Sequence, residues 1–575
     1  MDIDLQSIQQ ARLLIDQAYQ AQIKLATFSQ EQIDTIVKQM AAASLDAAEK
    51  LAKAAVEETG FGNLEDKILK NKFASEFVFD AIKDLKTVGI IREDLEKGIL
   101  EIAAPVGVIA AVIPSTNPTS TTINKALIAL KSRNSIVFSP HPSANKCIKE
   151  TSRILAETAE AAGAPKGVIG CLSATSVEGT QELMKHKKTS LILATGGQGL
   201  VKAAYSVGKP AFGVGPGNVP AYIETSADIP QAVKAIFTGK CFDNGTLCSS
   251  EQAIVTDKII KEQVVHEIER NGGYFLSNKE IEILGELVVT NNHKINPKIV
   301  GRSALTIASL AGLKVPEKTT VLVAHLTGVG HDYPLSIEKL SPILAFYVQE
   351  NWQEACDRCM ELINFGGLGH TLAIHSNNEK IIREFGLQKP VSRIVVNTQA
   401  ALGAVGYTTN LFPSMTLGCG VLGGNITSDN ISPLHLINIK RVAYPRKATL
   451  NSSQKSELES LGRPDVEAVV DRLLSSGDFG SIADVEQPSQ GSPPKAQLQK
   501  SNQGIEESQQ FPSELTDPEK LDQVVENQLT VSFVCEDDVR QSLKAEKKIY
   551  INSKSIVTPA AQDLGNANDV FINVP

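Results

Sequence analysis

The residues best suited to chemistry lie in Phe242-Asp243-Asn244-Gly245-Thr246-Leu247-Cys248-Ser249-Ser250-Glu251-Gln252. A cysteine follows an Asn-Gly turn and precedes the apolar, β-prone run Ala253-Ile254-Val255. Asn and Gly both tolerate positive φ, so the pair favours a tight turn. A thiol on such a turn can face a cleft, and a thiolate is the best side-chain nucleophile near neutral pH. Taken alone, one cysteine reads more readily as a small hydrophobe packed under a loop, because free cysteines are mostly buried and inert. Cys241 is a rival thiol, but it stands ahead of the turn rather than after it.

Partners for such a thiol come from other segments. Gly107-Val108-Ile109-Ala110-Ala111-Val112-Ile113-Pro114 reads as an apolar strand ending in the polar loop Ser115-Thr116-Asn117-Pro118-Thr119-Ser120. Ligands of open α/β sheets bind just beyond strand C-termini. Asn117 could offer an amide N–H to a developing oxyanion, or could simply cap the next helix. Leu191-Ile192-Leu193-Ala194-Thr195-Gly196-Gly197-Gln198-Gly199-Leu200 reads as strand, glycine turn and helix, which lets backbone N–H groups approach a dinucleotide. It is not a strict GxGxxG fingerprint. Gly213-Val214-Gly215-Pro216-Gly217-Asn218 is a second glycine turn.

Positioning these residues requires a multidomain frame, and 575 residues suffice for two or more domains. Strand-like runs at 106–113, 135–139, 190–194, 221–224, 253–256, 321–324, 371–375 and 393–397 alternate with helical segments such as 145–162 and 229–238. Residues 5–57 carry helical periodicity. Alternation of this kind predicts α/β architecture with largely parallel sheets. The net charge of −9, without a basic run, disfavours nucleic acid as a partner. No apolar run long enough for a membrane span is found, and the acidic, polar N-terminus does not resemble a secretory signal. Eight scattered cysteines suit a reducing cytoplasm. Cys356 and Cys359 have CxxC spacing, but no second ligand pair completes a zinc site, and the segment reads as an ordinary packed helix. No metal is expected.

Composition shifts near residue 448, and 476–528 is rich in Ser, Gln, Glu and Pro, which reads as a disordered linker. Within the tail, Val466, Val469, Val470, Leu473 and Leu474 form one apolar stripe behind Pro464. A helix of about three turns is too short to fold alone, so it either docks on a partner or folds back on its own enzyme domain. A last island runs from about 529 to 574, with strand-like 548–552 and 555–558.

Taken in order, several motifs resemble the CoA-acylating branch of the aldehyde dehydrogenase superfamily, over roughly residues 5–445. They include Ile113–Ser120, Phe138–Pro142, Ala194–Gly197, Gly213–Asn218, Phe242–Cys248, Glu338–Pro342, Gly366–Thr371 and Thr416–Gly420. The match is strongest to the aldehyde dehydrogenase part of bifunctional aldehyde–alcohol dehydrogenases. The resemblance implies a Rossmann-like NAD domain over 1–240, a catalytic α/β domain over 241–425 and a return segment with an oligomerisation flap over 426–450. A linker over 451–528, carrying the short helix 464–475, and a small module over 529–575 would follow. It also implies that Cys248 is the nucleophile, that Asn117 and the Cys248 backbone N–H form the oxyanion hole, and that His370 acts as a base or orients the thiol. NAD would lie along Val112, Ile113, Pro114, Ser115 and Thr116, then along Ser139 and His141. Gly196, Gly197, Gly215 and Leu417 would complete its site, with Glu338 holding the nicotinamide ribose.

Coenzyme A is the implied co-substrate. Hydrolytic members carry a water-activating Glu on the turn that matches Gly213–Asn218, and here that position is Val214. Without that base, a thiolate competes with water for the acyl group. No acidic residue marks the strand end at Ser139, so NADP stays open. The implied reaction takes acetaldehyde, CoA and NAD+ to acetyl-CoA and NADH. An acylating sulfoacetaldehyde dehydrogenase and a catalytically silent scaffold are the alternatives; an intact Cys248–Asn117–Glu338 set argues against the second. The 130 residues after 445 lack the His clusters of an alcohol dehydrogenase part. The 464–475 helix resembles encapsulation peptides of bacterial microcompartment cargo, which implies shell proteins as partners. A homo-oligomer is expected.

Overall fold

The structure, a computed structural model, describes residues 2–290, 293–445 and, with short gaps, 531–573. The chain divides into compact units at 1–480 and 481–575. Helices Ile3–Leu25, Gln30–Asp46 and Ala48–Thr59 open the first unit, as the periodicity of 5–57 predicts. A capping box of Ser29 and Gln32 starts the second helix, satisfying N–H groups that would otherwise lack partners.

Strands β1 (Gly89–Asp94) and β2 (Ile99–Pro105) form an antiparallel pair. Five parallel strands follow: β3 (Val108–Ile113), β4 (Ser135–Pro140), β5 (Ile169–Cys171), β6 (Thr189–Thr195) and β7 (Ala211–Val214). Their order is β5-β4-β3-β6-β7. Every residue of β3 and β4 is buried, since a parallel sheet is covered on both faces, and β3 is accordingly an unbroken apolar run. Seven more parallel strands build a second sheet: β8 (Val219–Ile223), β9 (Glu251–Asp257), β10 (Gly273–Phe275), β11 (Val321–His325), β12 (Ile343–Gln349), β13 (Gly369–His375) and β14 (Val391–Val396). Finally β15 (Ile437–Ala443) pairs antiparallel with β2.

Two boundaries differ from the sequence reading. The 1–240 division does not follow the sheets, because β8 hydrogen-bonds to β9 and β13 rather than to β7. The Gly213–Asn218 turn is therefore the crossing between the sheets. The 241–425 division fails likewise at its end: Ala401, Leu402, Val405 and Leu417 pack in the same apolar core as Ile109, Ala111 and Leu193 of the first sheet. The 426–450 segment supplies β15 to a three-stranded antiparallel sheet that leaves Ile439 and Val442 exposed. The helix at 464–475 and the linker lie outside the described residues.

In the second unit, Phe533–Val534 pairs in parallel with Ile556–Val557, and Ile549–Ile551 with Phe571–Asn573. Helices Glu536–Lys544 and Pro559–Ala567 complete it around Val534, Val539, Ile549, Ile551, Ala561 and Val570. Among the described residues no helix is long and apolar enough to cross a membrane, and no group of His, Cys, Asp or Glu is arranged to hold a metal.

Candidate active site

A cleft of about 610 Å³ lies at the C-terminal ends of β3, β4, β6 and β7. Its walls include Val112, Ile113, Pro114, Ser115, Thr116, Asn117, Ser139 and His141. Gly196, Gly197, Gly215, Cys248 and Glu338 line it as well. Residues from seven separate sequence segments thus meet in one place. Two expected residues do not line it. Leu417 is buried in the apolar core, and His370 is fully buried behind Gly217, where an added Cβ would lie 3.0 Å from its Cγ and Nδ1.

The Asn-Gly turn forms, and it is longer than predicted: Asp243, Asn244 and Gly245 take φ of 48°, 54° and 74°. It carries the chain from helix Ile229–Cys241 to Cys248 just before β9. The flanks of Cys248 are anchored, Leu247 in the core and Ser249 Oγ donating to the Ala401 carbonyl at 2.9 Å. Burial, then the charge of Glu338, push the Cys248 thiol up to about 12, while Arg393 opposes them. The resting group is therefore a thiol rather than a thiolate. Cys241 is outside the cleft walls, its Sγ pointing at the Thr320 carbonyl.

Asn117 occupies the N-cap position of helix Pro118–Lys131 but makes no side-chain cap. Its Oδ1 instead accepts from Lys70 Nζ at 2.6 Å, and its Nδ2 faces the Thr116 hydroxyl at 3.2 Å and the Thr246 carbonyl at 3.4 Å. Lys70 also contacts Asp243 Oδ2, which accepts from Lys67 Nζ at 2.9 Å and from Thr246 Oγ1 at 2.5 Å. Lys67, Lys70 and Asp243 are each at most 3% exposed. Sequence reading missed this cluster, because its members come from segments more than 170 residues apart. It also missed Lys125, whose buried Nζ donates to the carbonyls of Val112 and Leu193 at 2.9 Å each and so ties together the ends of β3 and β6. Burial lowers that lysine to about 7.

The glycine turns fit a dinucleotide. Added Cβ atoms at Gly197 and Gly215 would meet nothing within 4 Å, so backbone there is open to a ligand. Gly197 caps helix Gln198–Tyr205, whose first N–H groups suit an anionic pyrophosphate. Thr195 Oγ1, on the cleft wall, is buried without a partner in the protein. Ser139 Oγ shares a 2.7 Å hydrogen bond with Thr180 Oγ1, and Thr180 joins Ser176 and Gln181 as cleft residues absent from the sequence reading. Glu338 Oε1 accepts from the Gly217 N–H at 3.0 Å. Burial raises this carboxyl to about 7, against the Gly217 bond and the charge of Lys240.

Behind the thiol, His370 shares a 3.0 Å bond from Nδ1 to Thr371 Oγ1 and leaves Nε2 buried without a partner. Burial, then Arg393, depress it to about 3, so it is neutral at physiological pH. Arg393 donates to the carbonyls of His370 at 3.1 Å and Gly418 at 2.7 Å, placing a buried cation near Cys248 and Cys419.

Residues 2–271 match the aldehyde dehydrogenase family. The chain is 47% identical over 437 residues to an aldehyde-alcohol dehydrogenase of Clostridium acetobutylicum, covering 75% of this chain and 50% of that one. It therefore spans about half the length of the first curated relatives it matches. An acetylating aldehyde dehydrogenase from Geobacillus thermoglucosidasius is 54% identical, with a TM-score of 0.77 over 79% of this chain and 100% of that chain. A propionaldehyde dehydrogenase from the Clostridium phytofermentans fucose utilisation bacterial microcompartment is 27% identical, with a TM-score of 0.69 over 77% of this chain and 98% of that one. The chain belongs to the aldehyde dehydrogenase family.

Proposed function

We propose that the chain converts a small aldehyde, acetaldehyde above all, together with CoA and NAD+ into acyl-CoA, NADH and a proton. The observation that carries this is the meeting of Cys248 and Asn117 in one cleft with both glycine turns and Glu338. NAD, when bound, supplies the hydride acceptor. Cys248 gives up its thiol proton to solvent as Sγ bonds to the aldehyde carbon, and the carbonyl oxygen becomes an oxyanion facing Asn117 Nδ2 and the Cys248 N–H. Loss of hydride from that carbon leaves a thioester on Cys248. The CoA thiol then loses its proton to solvent as its sulfur attacks the acyl carbon, and Cys248 departs as thiolate and takes a proton back, which leaves one proton released per turnover. One thioester replaces another of similar energy, so this transfer is reversible.

Release to CoA rather than water is supported by Val214, a buried apolar side chain on the cleft wall where hydrolytic members place their base. Glu338 is committed to the Gly217 N–H. Confinement in a bacterial microcompartment is the accompanying reading. It rests on the likeness of 464–475 to encapsulation peptides and on the microcompartment origin of one structural relative. The deciding assay follows NADH from acetaldehyde with and without CoA, in wild type and Cys248→Ala. CoA-dependent NADH and acetyl-CoA should be lost in the variant while NAD binding survives. Acetyl-CoA formed by Cys248→Ala would refute the assignment.

A further inference from the structure

We propose that Lys70, clamped by Asp243, is a positioning residue that orients and polarises the Asn117 amide toward the oxyanion. This rests on the reading of Asn117 as the oxyanion donor. An amide has one acceptor end and one donor end, and an ammonium can face only the acceptor. With Lys70 Nζ at 2.6 Å from Oδ1, the Nδ2 protons must point the other way, along the side that holds Thr246 and the cleft. The competing use of Asn117 is the ordinary one for its position, with Oδ1 capping the following helix. Lys70 takes that acceptor, and the cap is absent.

The ammonium itself has no freedom to drift. Its acceptors are Asn117 Oδ1, Asp243 Oδ2 and Thr246 Oγ1, the last at 3.3 Å, which accounts for three protons. Burial lowers Lys70 only to about 8, so it remains charged at neutral pH. Charge-assisted hydrogen bonds are stronger than neutral ones, and a donor pulling on the amide oxygen makes the amide N–H a better donor in turn. Asp243 extends the clamp to the nucleophile. It takes its positive φ in the turn before Cys248, its Oδ1 accepts from the Asn63 N–H at 3.0 Å, and its own N–H donates to Asp66 Oδ2 at 2.6 Å. Lys67 adds a 3.2 Å bond to the Thr116 carbonyl, next to Asn117. One buried carboxylate thus ties the oxyanion donor and the nucleophile's turn to the same helix, Leu64–Lys72.

The test is a thioester-forming NADH burst measured on the full chain for wild type, Lys70→Met, Lys70→Arg, Asn117→Ala and Asn117→Ala/Lys70→Met. Lys70→Met should slow the burst about 10- to 100-fold, with the KM for NAD within about twofold of wild type. Lys70→Arg should recover part of the rate. The double variant should be no slower than Asn117→Ala alone, because the lysine acts only through that amide. An unchanged burst in Lys70→Met, or an equal further loss in the Asn117→Ala background, would overturn the proposal. A wild-type burst in Asn117→Ala would instead sink the oxyanion reading beneath it. Should Lys70→Met not fold, Lys70→Gln, which keeps a donor but no charge, is judged by the same cycle.

Discussion

Gly217→Ala is the substitution whose effect the structure specifies most closely. Gly217 does not need positive φ; it needs to be small. A Cβ there would overlap the carbonyl oxygen of Cys248 and sit 3.0 Å from His370 Cγ and Nδ1. Ordinary contact begins near 3.4 Å, so the Cys248 peptide must retreat by about 1 Å. The glycine cannot back away instead. Its N–H is bonded to Glu338, and the next residue is pinned where Asn218 Nδ2 donates to the Ser336 and Leu362 carbonyls at 2.9 and 3.0 Å. A displacement of about 1 Å at the attacking atom costs on the order of 10² in rate, or about 2.7 kcal/mol of barrier. Overpacking costs stability of roughly 1–3 kcal/mol. The assay is the same NADH burst beside a thermal unfolding curve. The expected result is a folded protein whose burst is about 10²-fold slower. A Gly217→Ala enzyme that folds and bursts at the wild-type rate would refute the claim that this contact holds Cys248 in place.

Glu338→Gln tests the pH dependence. Glu338 has a raised value of about 7, so it is protonated below that pH and ionised above it. Wild-type NAD affinity should therefore fall as pH drops through 7, and the glutamine variant should lose that limb; a limb of unchanged midpoint in the variant would reassign it to another group. Deleting residues 451–575 should leave the burst within about twofold of wild type while releasing the enzyme from shell fractions. Continued co-purification with shells would remove 464–475 as the docking element.

Much of the frame was legible because its strands are buried on both faces. Val108–Ile113 and Val321–Ala324 are short unbroken apolar runs, which a covered parallel sheet requires. The Asn244–Gly245 turn was legible from residue type alone, since few residues accept positive φ. The antiparallel β1 and β2 were not. Gly89-Ile-Ile-Arg-Glu-Asp94 is half exposed and mixes charge with apolar residues, so it lacks a clean period of two. The sheet boundary was missed because a glycine turn within one domain and a crossing between two sheets use the same residues.

The site divided along the same line. Most of the residues that line the cleft sit at strand ends and glycine turns, and those places are marked by local sequence. Residues that hold the cleft-lining groups in place are marked by nothing local. Lys67 and Lys70 stand beside Glu65 and Asp66 on one helix in a charge-rich stretch that carries no local mark of burial, yet both lysines are buried against an aspartate more than 170 residues away. Taking a lysine out of water costs several kcal/mol unless its protons are satisfied. The fold meets that cost twice at one carboxylate, at the point where Asn117 and the turn before Cys248 come together. A salt bridge kept only for stability could be replaced by apolar packing with little loss. In the role proposed for Lys70, this one has a further task that apolar residues could not perform, because they offer no donor to fix which end of the Asn117 amide faces the cleft.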